Sequence, residues 1–287
     1  MAFVEAIPGL TRRAFGVAPA EVSAIAFGTW NATYRVAMPD REPVVLRIAP
    51  PGEDAMRNEH AAAPFFAGLV PLVPRLLFAD FTHDLVDRDY MFGSLLPGTP
   101  ASLLDTCPPH FYRQLGGITR RVHAVAGTRF GRVLGPHFAT WSGSLVAAFT
   151  EMGGRYDDAG LDRTDIDRVI GMIRADRAEF DEVEPRLLHG DLWRLNLLVD
   201  ADANITGILD WDAASWGDPY ADWTIHQVLD RPEADEFWTG YGPPPPDRLR
   251  QRVYRARSLA GARLDIHRRN INLATVPARY WDIATVI

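Results

Sequence analysis

The stretch that most constrains the fold is "LLHGDLWRLNLLV" at 187–199, where polar residues stand between two apolar runs. Apolar runs of this length indicate short buried strands. Asp191 and Asn196 therefore lie on a loop whose two flanks are held in the core, which is a more rigid setting than an ordinary surface turn. They are either turn residues or residues held in place for chemistry.

The following residues predict a β-hairpin, because "NLLV" and "ITGILD" flank the turn-forming "DADAN" within 196–210. Asp191 and Asn196 precede the first strand and Asp210 ends the second, so the hairpin brings all three to the same end. Two carboxylates and a carboxamide supply hard oxygen ligands for Mg²⁺ and leave one acid to act as a base. Alone, Asp191 or Asn196 would be an ordinary turn residue. Together with Asp210 they favour phosphoryl transfer.

Composition restricts the class of protein. With 287 residues, 47% of them hydrophobic, the chain can bury a sizeable core and form two lobes. A single cysteine, Cys107, excludes an internal disulfide framework and suits a reducing cytoplasm. The net charge of −7 argues against a nucleic-acid partner. Because we find neither a bilayer-length apolar run nor the pattern of an export signal, we expect a cytoplasmic protein without a membrane partner.

Charge is concentrated in two segments of opposite sign. Residues 151–185 contain eleven Asp or Glu against five Arg, and residues 247–269 contain eight Arg against two Asp. The two segments could pair with each other, or they could face ligands of opposite charge. An acidic wall would attract a cationic substrate. A solvated, salt-bridged helix face would explain the acidic segment equally well.

The order of apolar patterns predicts an α+β chain with a sheet-rich first part and a helical second part. Short apolar runs closed by Gly, Pro or Asp predict strands at 20–28, 32–39, 43–50, 75–82 and 88–96. Residues 53–69 predict the one helix among them, despite Pro64. Beyond residue 100 a single apolar stripe begins, formed by Phe111, Leu115, Ile118, Val122 and Val125. We therefore divide the chain into a first lobe, a connection and a second lobe at 1–93, 94–99 and 100–287.

The pair "HGDLWRLN" and "ILDWD" resembles the paired motifs of the aminoglycoside phosphotransferase and choline kinase-like family. The resemblance implies a two-lobed protein-kinase-like fold, with a small antiparallel-sheet N-terminal lobe and a larger, mainly helical C-terminal lobe. It implies ATP and Mg²⁺ as cofactors, with Asp191 as the catalytic base, Asn196 as a metal ligand and Asp210 as the main Mg²⁺ ligand. His189 would brace the loop. Asp212 would either assist the metal or cap a turn.

Two further features lie outside this pair of motifs. "GDPYADW" resembles the family's "GDPxxD" element, and by itself it predicts a helix start with Asp218 as N-cap and Pro219 at the first helical position. We expect Asp218 and Asp222 to be mainly structural. His123, beside the apolar stripe, is expected to be a hydrogen-bonded core histidine, and the histidine spacings do not predict a zinc site.

The resemblance also implies a nucleotide site in the first lobe. Gly28 and Asn31 match the family's glycine-containing phosphate loop, although a single glycine between strands, taken alone, is better explained as a hairpin turn. The adenine would bond to the backbone of the connection, around Ser94 and Leu96.

Arg47 is the most informative residue of this lobe. It lies within a predicted strand, and Glu59 lies on the inward stripe of the predicted helix, so the two are expected to pair. Such a strand–helix ion pair holds the α- and β-phosphates in kinases. The family usually has lysine here, whereas this chain contains no lysine at all. The alternatives are a purely structural salt bridge and a nucleotide-binding but inactive protein.

Two departures concern the loop itself, where Leu195 replaces a glycine that is frequent in the family and Trp193 is either a packing anchor or a substrate platform. We expect an ATP- and Mg²⁺-dependent O-phosphotransferase that acts on a hydroxyl of an antibiotic, aminoglycoside-like or another amine-bearing natural product, and confers resistance. One alternative is a metabolite kinase for choline, a fructosamine or an amino sugar. Another is a non-catalytic nucleotide-binding regulator. The sequence leaves the acceptor hydroxyl, the choice between ATP and GTP, and the oligomeric state open.

Overall fold

The computed structural model describes residues 3–25, 31–228, 232–244 and 248–287. Its strands are β1 (Glu21–Ala24), β2 (Ala32–Ala37), β3 (Val44–Ile48), β4 (Leu76–Asp80), β5 (Tyr90–Ser94), β6 (Thr99–Pro100), β7 (Phe130–Arg132), β8 (His137–Phe138), β9 (Arg186–Leu188), β10 (Leu197–Val199), β11 (Ile205–Ile208) and β12 (Ser215–Gly217). Its helices are α1 (Ile7–Phe15), α2 (Ala55–Phe66), α3 (Pro109–His123), α4 (Trp141–Asp158), α5 (Thr164–Ala175), α6 (Arg177–Asp181), α7 (Trp223–Val228), α8 (Ala234–Tyr241) and α9 (Leu249–Arg268).

The chain forms two compact units. The first comprises Met1–Gln114 and Asp191–Ala214, and the second comprises Leu115–Gly190 and Ser215–Ile287. The predicted hairpin is confirmed, since β10 pairs antiparallel with β11, and it belongs to the first unit because β10 also pairs with β6. The lobe boundaries drawn from the sequence divide the chain differently and stay a prediction.

The first unit is built on a five-stranded antiparallel sheet with the order β1-β2-β3-β5-β4. All five strands predicted in the first part of the chain are present, within the predicted limits. Helix α1 was not predicted, and it packs its buried Ile7 and Leu10 against the same core as the sheet. The predicted α+β fold class is confirmed, and helix α1 is an addition to the predicted elements of its first part.

Strand β3 lies in the interior of this sheet, between β2 and β5, so its alternating residues meet two different environments. Val44, Leu46 and Ile48 are buried on one face. Arg47 is half-buried on the opposite face and pairs with Met91 of β5. The sheet therefore presents a charged side chain from its interior, which requires a partner of opposite charge.

Helix α2 supplies that partner and continues through Pro64, which lies in its last turn and is exposed. Proline has no N–H to donate to the carbonyl four residues earlier, so the last turn of α2 lacks one main-chain hydrogen bond. The residues that α2 buries are Met56, Asn58, Ala62 and Phe66. Spacings of four residues place these side chains on one stripe, except Met56, which neighbours it.

The second unit joins a four-stranded sheet, with the order β8-β7-β12-β9, to several helices. Its core includes Trp141 and Phe149 of α4 and Tyr254 of α9. Thr140 caps α4 by accepting a hydrogen bond from the N–H of Gly143 at 3.1 Å. None of the helices in the described ranges is both long and apolar enough to cross a membrane.

Candidate active site

Arg47 connects two acidic side chains of the first unit. Its Nη1 donates to both carboxylate oxygens of Glu59, at 2.7 and 2.6 Å, and its Nη2 donates to Oδ1 of Asp210 at 2.8 Å. The predicted pair of Arg47 and Glu59 is therefore present. The contact with Asp210 was not predicted, and the planar guanidinium makes it with the nitrogen that Glu59 does not use.

Burial and charge act against each other in this linkage. Side chains of Arg47 and Glu59 are 20% and 13% exposed. Burial disfavours the charged form of Arg47, but Glu59 and Asp210 outweigh burial and raise its pKa. Burial raises the pKa of Glu59 above its usual range, and Asp210 adds to that effect against the opposing influence of Arg47. The guanidinium is thus held firmly charged beside carboxylates that compete for it.

Asp210 follows β11 in an unusual backbone conformation, with φ of 67° and ψ of 67°. A non-glycine residue pays a conformational cost of about 1–3 kcal/mol in such a region, and residues of this kind cluster at functional sites. Trp211–Ala213 then form a turn of 3₁₀ helix. The alternation of an extended strand would place Asp212 on the same side as Asp210, but the chain turns directly after β11, so Asp212 does not lie on a strand with Asp210.

The pKa of Asp212 reflects its burial beside other carboxylates. Burial raises the pKa of Asp212 to about 7, and negative charge on Asp210 and Glu59 adds to the increase, whereas Arg47 opposes it. Burial and the neighbouring carboxylates, which share one guanidinium, therefore favour the protonated form of Asp212. Such a surplus of negative charge favours a bound cation.

A second contact orders the loop at 191–196. Nδ2 of Asn196 donates to the carbonyl and to Oδ2 of Asp191, both at 2.8 Å. The N–H of Leu209 donates to the carbonyl of Asn196 at 2.8 Å, which continues the pairing of β10 with β11 up to Leu209, the residue before Asp210. The hairpin therefore brings Asp191, Asn196 and Asp210 to one end, as the sequence predicted.

The chemistry of these donors fits a hard cation such as Mg²⁺. The amide nitrogen of Asn196 donates to Asp191, so Oδ1 is the side-chain atom of Asn196 that could coordinate a cation, and Asp210 offers a carboxylate that is 36% exposed. Among the described residues, three or more His, Cys, Asp or Glu side chains do not converge as ligands of one ion. A site of one carboxylate and one amide oxygen leaves the remaining positions to phosphate oxygens and water, as Mg²⁺ prefers.

Arg194 anchors the middle of the loop. Its guanidinium donates to the carbonyls of Ala101 and Leu104, and the contact with Ala101 is 3.1 Å from Nη2. Its neighbours Trp193 and Leu195 are exposed. Of the two roles considered for Trp193, the exposed side chain argues against that of a buried packing anchor.

Of the four predicted nucleotide contacts in the phosphate loop and the connection, the structure describes three, Asn31, Ser94 and Leu96. Gly28 lies outside the described residues. Asn31 is half-buried directly before β2, and its carbonyl accepts a hydrogen bond from Thr33. The N–H of Ser94 donates to the carbonyl of Arg75 at 2.9 Å, so the described structure does not leave it as a donor for a base. Leu96, half-buried beyond β5, stays a predicted contact.

Asp222 is the centre of a buried network in the second unit. Its carboxylate accepts from the backbone N–H groups of His189 and Gly190, at 2.9 and 3.0 Å, and pairs with Nε2 of His123 at 3.0 Å. Nδ1 of His123 pairs with the hydroxyl of Tyr241. Burial alone would raise the pKa of Asp222, but the hydrogen bond and charge of His123, together with His189, lower it below its usual range. These contacts match the structural role expected for Asp222 and the core role expected for His123.

Asp218 also has the predicted role. Its side chain accepts from the N–H of Tyr220 at 3.0 Å and caps a short 3₁₀ helix that begins at Pro219. Oδ2 of Asp218 accepts from the hydroxyl of Tyr254 at 2.8 Å and lies 3.4 Å from Arg250. Asp218 therefore links the start of this element to helix α9.

The acidic segment at 151–185 contains ion pairs between its own residues. Arg155 pairs with Glu151, and Arg163 pairs with Asp157 and Asp167, each within 2.8 Å. These pairs lie on the surface and support the interpretation as a salt-bridged helix face. Attraction of a cationic substrate stays a prediction.

Comparison with known proteins defines the class. A family model described as the phosphotransferase enzyme family matches residues 21–262, and the chain therefore belongs to this family. Its members are transferases that act on hydroxyl groups, and the match confirms the family that the motifs resemble.

Solved structures show the same fold. A candidate fructosamine-3-kinase from Haemophilus somnus 129PT is similar with a TM-score of 0.72 and 16% identity, over 99% of this chain and 97% of that one. A thermostable mutant of aminoglycoside phosphotransferase APH(4)-Ia, in a ternary complex with AMP-PNP and hygromycin B, is similar with a TM-score of 0.70 and 16% identity, over 98% and 97%. Macrolide 2'-phosphotransferase MphH from Brachybacterium faecium is similar with a TM-score of 0.65 and 20% identity, over 96% and 99%.

One curated relative matches a short part of the chain. The uncharacterized protein YcbJ of Bacillus subtilis strain 168 is 40% identical over 43 residues, which are 15% of this chain and 14% of that protein. The chain thus spans only a small part of this relative. The family and the fold are established by the longer matches.

Sequence reasoning missed three residues that organise the site. Asn58 and Trp211 are buried next to Glu59 and Asp210, and Arg194 is anchored to main-chain carbonyls. The sequence offered one signal for these residues, the polar Asn58 beside Glu59, which lies on the inward stripe of α2. Main-chain carbonyls as partners leave no trace in a sequence, so the contacts themselves were beyond prediction.

We predict that Asp222→Asn lowers the free energy of unfolding by about 1–3 kcal/mol at pH 7, because an amide cannot accept from all three donors. The depressed pKa of Asp222 sets the pH dependence. Its contribution is complete above the pKa of aspartate in the unfolded chain, about 4, and is lost as the pH falls through the lower pKa of the folded state. Urea unfolding at several pH values should therefore show the difference from wild type shrinking below about pH 4.

The matched control is Asp158→Asn, which changes an exposed aspartate of helix α4 in the same unit. We expect it to leave the free energy of unfolding unchanged within about 0.5 kcal/mol. A difference between wild type and Asp222→Asn that stays constant or grows on acidification would contradict the assigned direction of the shift.

Proposed function

We propose that the protein transfers the γ-phosphoryl group of ATP, with Mg²⁺, to a hydroxyl group of an antibiotic, either aminoglycoside-like or another amine-bearing natural product, and thereby confers resistance. The proposal is supported by one observation above all. Within the first unit, Arg47 joins Glu59 to Asp210, while Asn196 is hydrogen-bonded to Asp191. These are the charges and oxygen donors that phosphoryl transfer needs.

Each side chain has a task in the proposed reaction. Asp191 accepts the proton of the acceptor hydroxyl while the hydroxyl oxygen bonds to the γ-phosphorus. The bond between the γ-phosphorus and the oxygen that bridges it to the β-phosphate breaks, which releases ADP. Asn196 holds Oδ2 of Asp191 in place and thereby orients the carboxylate that receives the proton. Arg47 positions the phosphates with its planar donors. Bound Mg²⁺, held by Asp210 and Asn196, would neutralise phosphate charge.

The comparisons favour a small-molecule acceptor but do not select one. The similar solved structures include proteins named for a fructosamine, an aminoglycoside and a macrolide. Because their identities with this chain are 20% or less, their substrates carry over only as candidates. A metabolite kinase for a fructosamine, choline or an amino sugar is therefore the second proposal, supported by the similarity to the candidate fructosamine-3-kinase.

The test is consumption of Mg²⁺-ATP by the purified protein against a panel of aminoglycosides, macrolides, peptide and nucleoside antibiotics, choline and fructosamines. Turnover with an antibiotic, together with resistance in a sensitive host, is the expected result. Turnover with a metabolite alone would replace the first proposal by the second. Nucleotide binding without turnover of any compound would support the non-catalytic regulator instead.

We predict that Asp191→Asn lowers kcat by about 10²–10⁴-fold while binding of ATP is nearly unchanged, because only proton transfer is removed. Steady-state kinetics and equilibrium binding of a fluorescent ATP analogue measure the two effects. Asp202→Asn, an exposed aspartate in the turn between β10 and β11, is the matched control and should keep wild-type kcat. Unchanged turnover in Asp191→Asn would exclude Asp191 as the base.

We predict that Asp210→Ala abolishes the dependence of nucleotide binding on Mg²⁺, because the principal carboxylate ligand is lost. A Mg²⁺ titration of nucleotide binding measures this dependence directly. Asp212→Asn should retain it, since the half-buried Asp212 is not the principal ligand in this proposal. The reverse pattern, with dependence lost only in Asp212→Asn, would assign the metal to Asp212.

A further inference from the structure

Helix α2 contains a fully buried polar side chain directly beside Glu59. Asn58 is 0% exposed, and its Nδ2 donates to the main-chain carbonyls of Asp212 and Ala214, at 2.8 and 2.9 Å. A buried amide without such partners would be costly, so the two hydrogen bonds stabilise Asn58 in this position. They also tie a residue of the helix to carbonyls that are more than 150 positions away in sequence.

The segment bound by Asn58 is the one that follows Asp210. Between Asp210 and Ala214 the chain makes the 3₁₀ turn that begins at Trp211. The indole of Trp211 is fully buried and stacks on the ring of Phe66, also in α2, with centroids 4.3 Å apart. Helix α2 therefore holds this turn at two points, one polar and one aromatic.

Asp210 itself needs such support. Its left-handed backbone conformation is unfavourable for a residue with a Cβ, and it persists only if neighbouring structure holds it. On the side-chain side, Asp210 is held through Arg47 and Glu59. On the main-chain side, Asn58 holds the carbonyls of Asp212 and Ala214, which follow Asp210 by two and four residues. Both connections lead to adjacent residues of the same helix.

We propose that Asn58 is a positioning residue, which orients Asp210 toward a metal-bearing nucleotide by fixing the main chain at 212–214. The inference rests on the proposed function, since it assigns to Asn58 an effect on the nucleotide–metal site. Asn58 does not touch the substrate or the ion. It makes the turn after β11 and helix α2 one rigid piece, so that Asp210 is in place before the nucleotide arrives.

A purely structural Asn58 would affect stability only, whereas a positioning residue also affects how Asp210 meets the ion. The experiment therefore compares wild type, Asn58→Ala and Asn58→Ser, using binding of a fluorescent ATP analogue during a Mg²⁺ titration and thermal unfolding of the same samples. Asn58→Ser keeps one hydroxyl donor and is the milder variant. Thr11→Val is the matched control, because Thr11 is likewise buried on a helix of the first unit and donates to a main-chain carbonyl, that of Ile7.

We expect Asn58→Ala to raise the Mg²⁺ concentration for half-maximal binding by about tenfold, and Asn58→Ser to raise it less, which corresponds to loss of a buried hydrogen bond. Thr11→Val should unfold at a lower temperature with an unchanged Mg²⁺ titration. Hydrogen exchange at the N–H of Ala214, which donates to the carbonyl of Trp211, should become faster in both Asn58 variants without any ligand. If Asn58→Ala does not fold, the Mg²⁺ titration and the exchange rate of Asn58→Ser test the positioning role.

Titrations of the Asn58 variants that coincide with that of wild type would overturn the positioning role, even if both variants unfold at lower temperature. An unchanged exchange rate at Ala214 would overturn it as well. Failure of the proposed function gives a different result, in which wild type itself binds the nucleotide analogue without any dependence on Mg²⁺. That result would remove the basis for a role of Asn58 at the site together with the proposed function.

Discussion

The first unit depends on one shared guanidinium. Arg47 projects from an interior strand of the five-stranded sheet and bonds to Glu59, twelve residues away in sequence, and to Asp210, 163 residues away. A charge in this setting is tolerated only when it is paired on every side that water does not reach. The strand, helix α2 and the end of the hairpin therefore meet around the half-buried charge of Arg47.

Arginine in place of lysine changes what this linkage can hold. A lysine ammonium is a compact point charge, whereas the guanidinium of Arg47 directs separate N–H groups to Glu59 and to Asp210 at the same time. In a chain without lysine, the same residue thus connects the helix to the candidate metal ligand. Burial, together with the carboxylates of Asp210 and Glu59, raises the pKa of Asp212, and this surplus of carboxylates favours the positive charge that a phosphate-bound cation would add.

Buried polar groups that bond to the main chain organise both units. Asn58 bonds to two carbonyls in the first unit, and Asp222 accepts from two N–H groups in the second. Both side chains are almost completely inaccessible, so each of their hydrogen bonds is worth more than a surface contact and is costly to lose. They hold irregular segments that could not satisfy their own backbone groups within a helix or a sheet.

The sequence alone determined the strands of the first sheet, helix α2, the hairpin, the caps at Asp218 and the pairing of Arg47 with Glu59, because apolar periodicity and turn residues are local signals. It also brought Asp191, Asn196 and Asp210 to one end, since a hairpin reverses the chain. Only the tertiary structure decided that Arg47 reaches Asp210, that the chain turns at Trp211, and that Asn58 holds that turn. Those contacts join segments that are distant in sequence. Several of them involve main-chain atoms, which every residue has, so the residue types do not predict them.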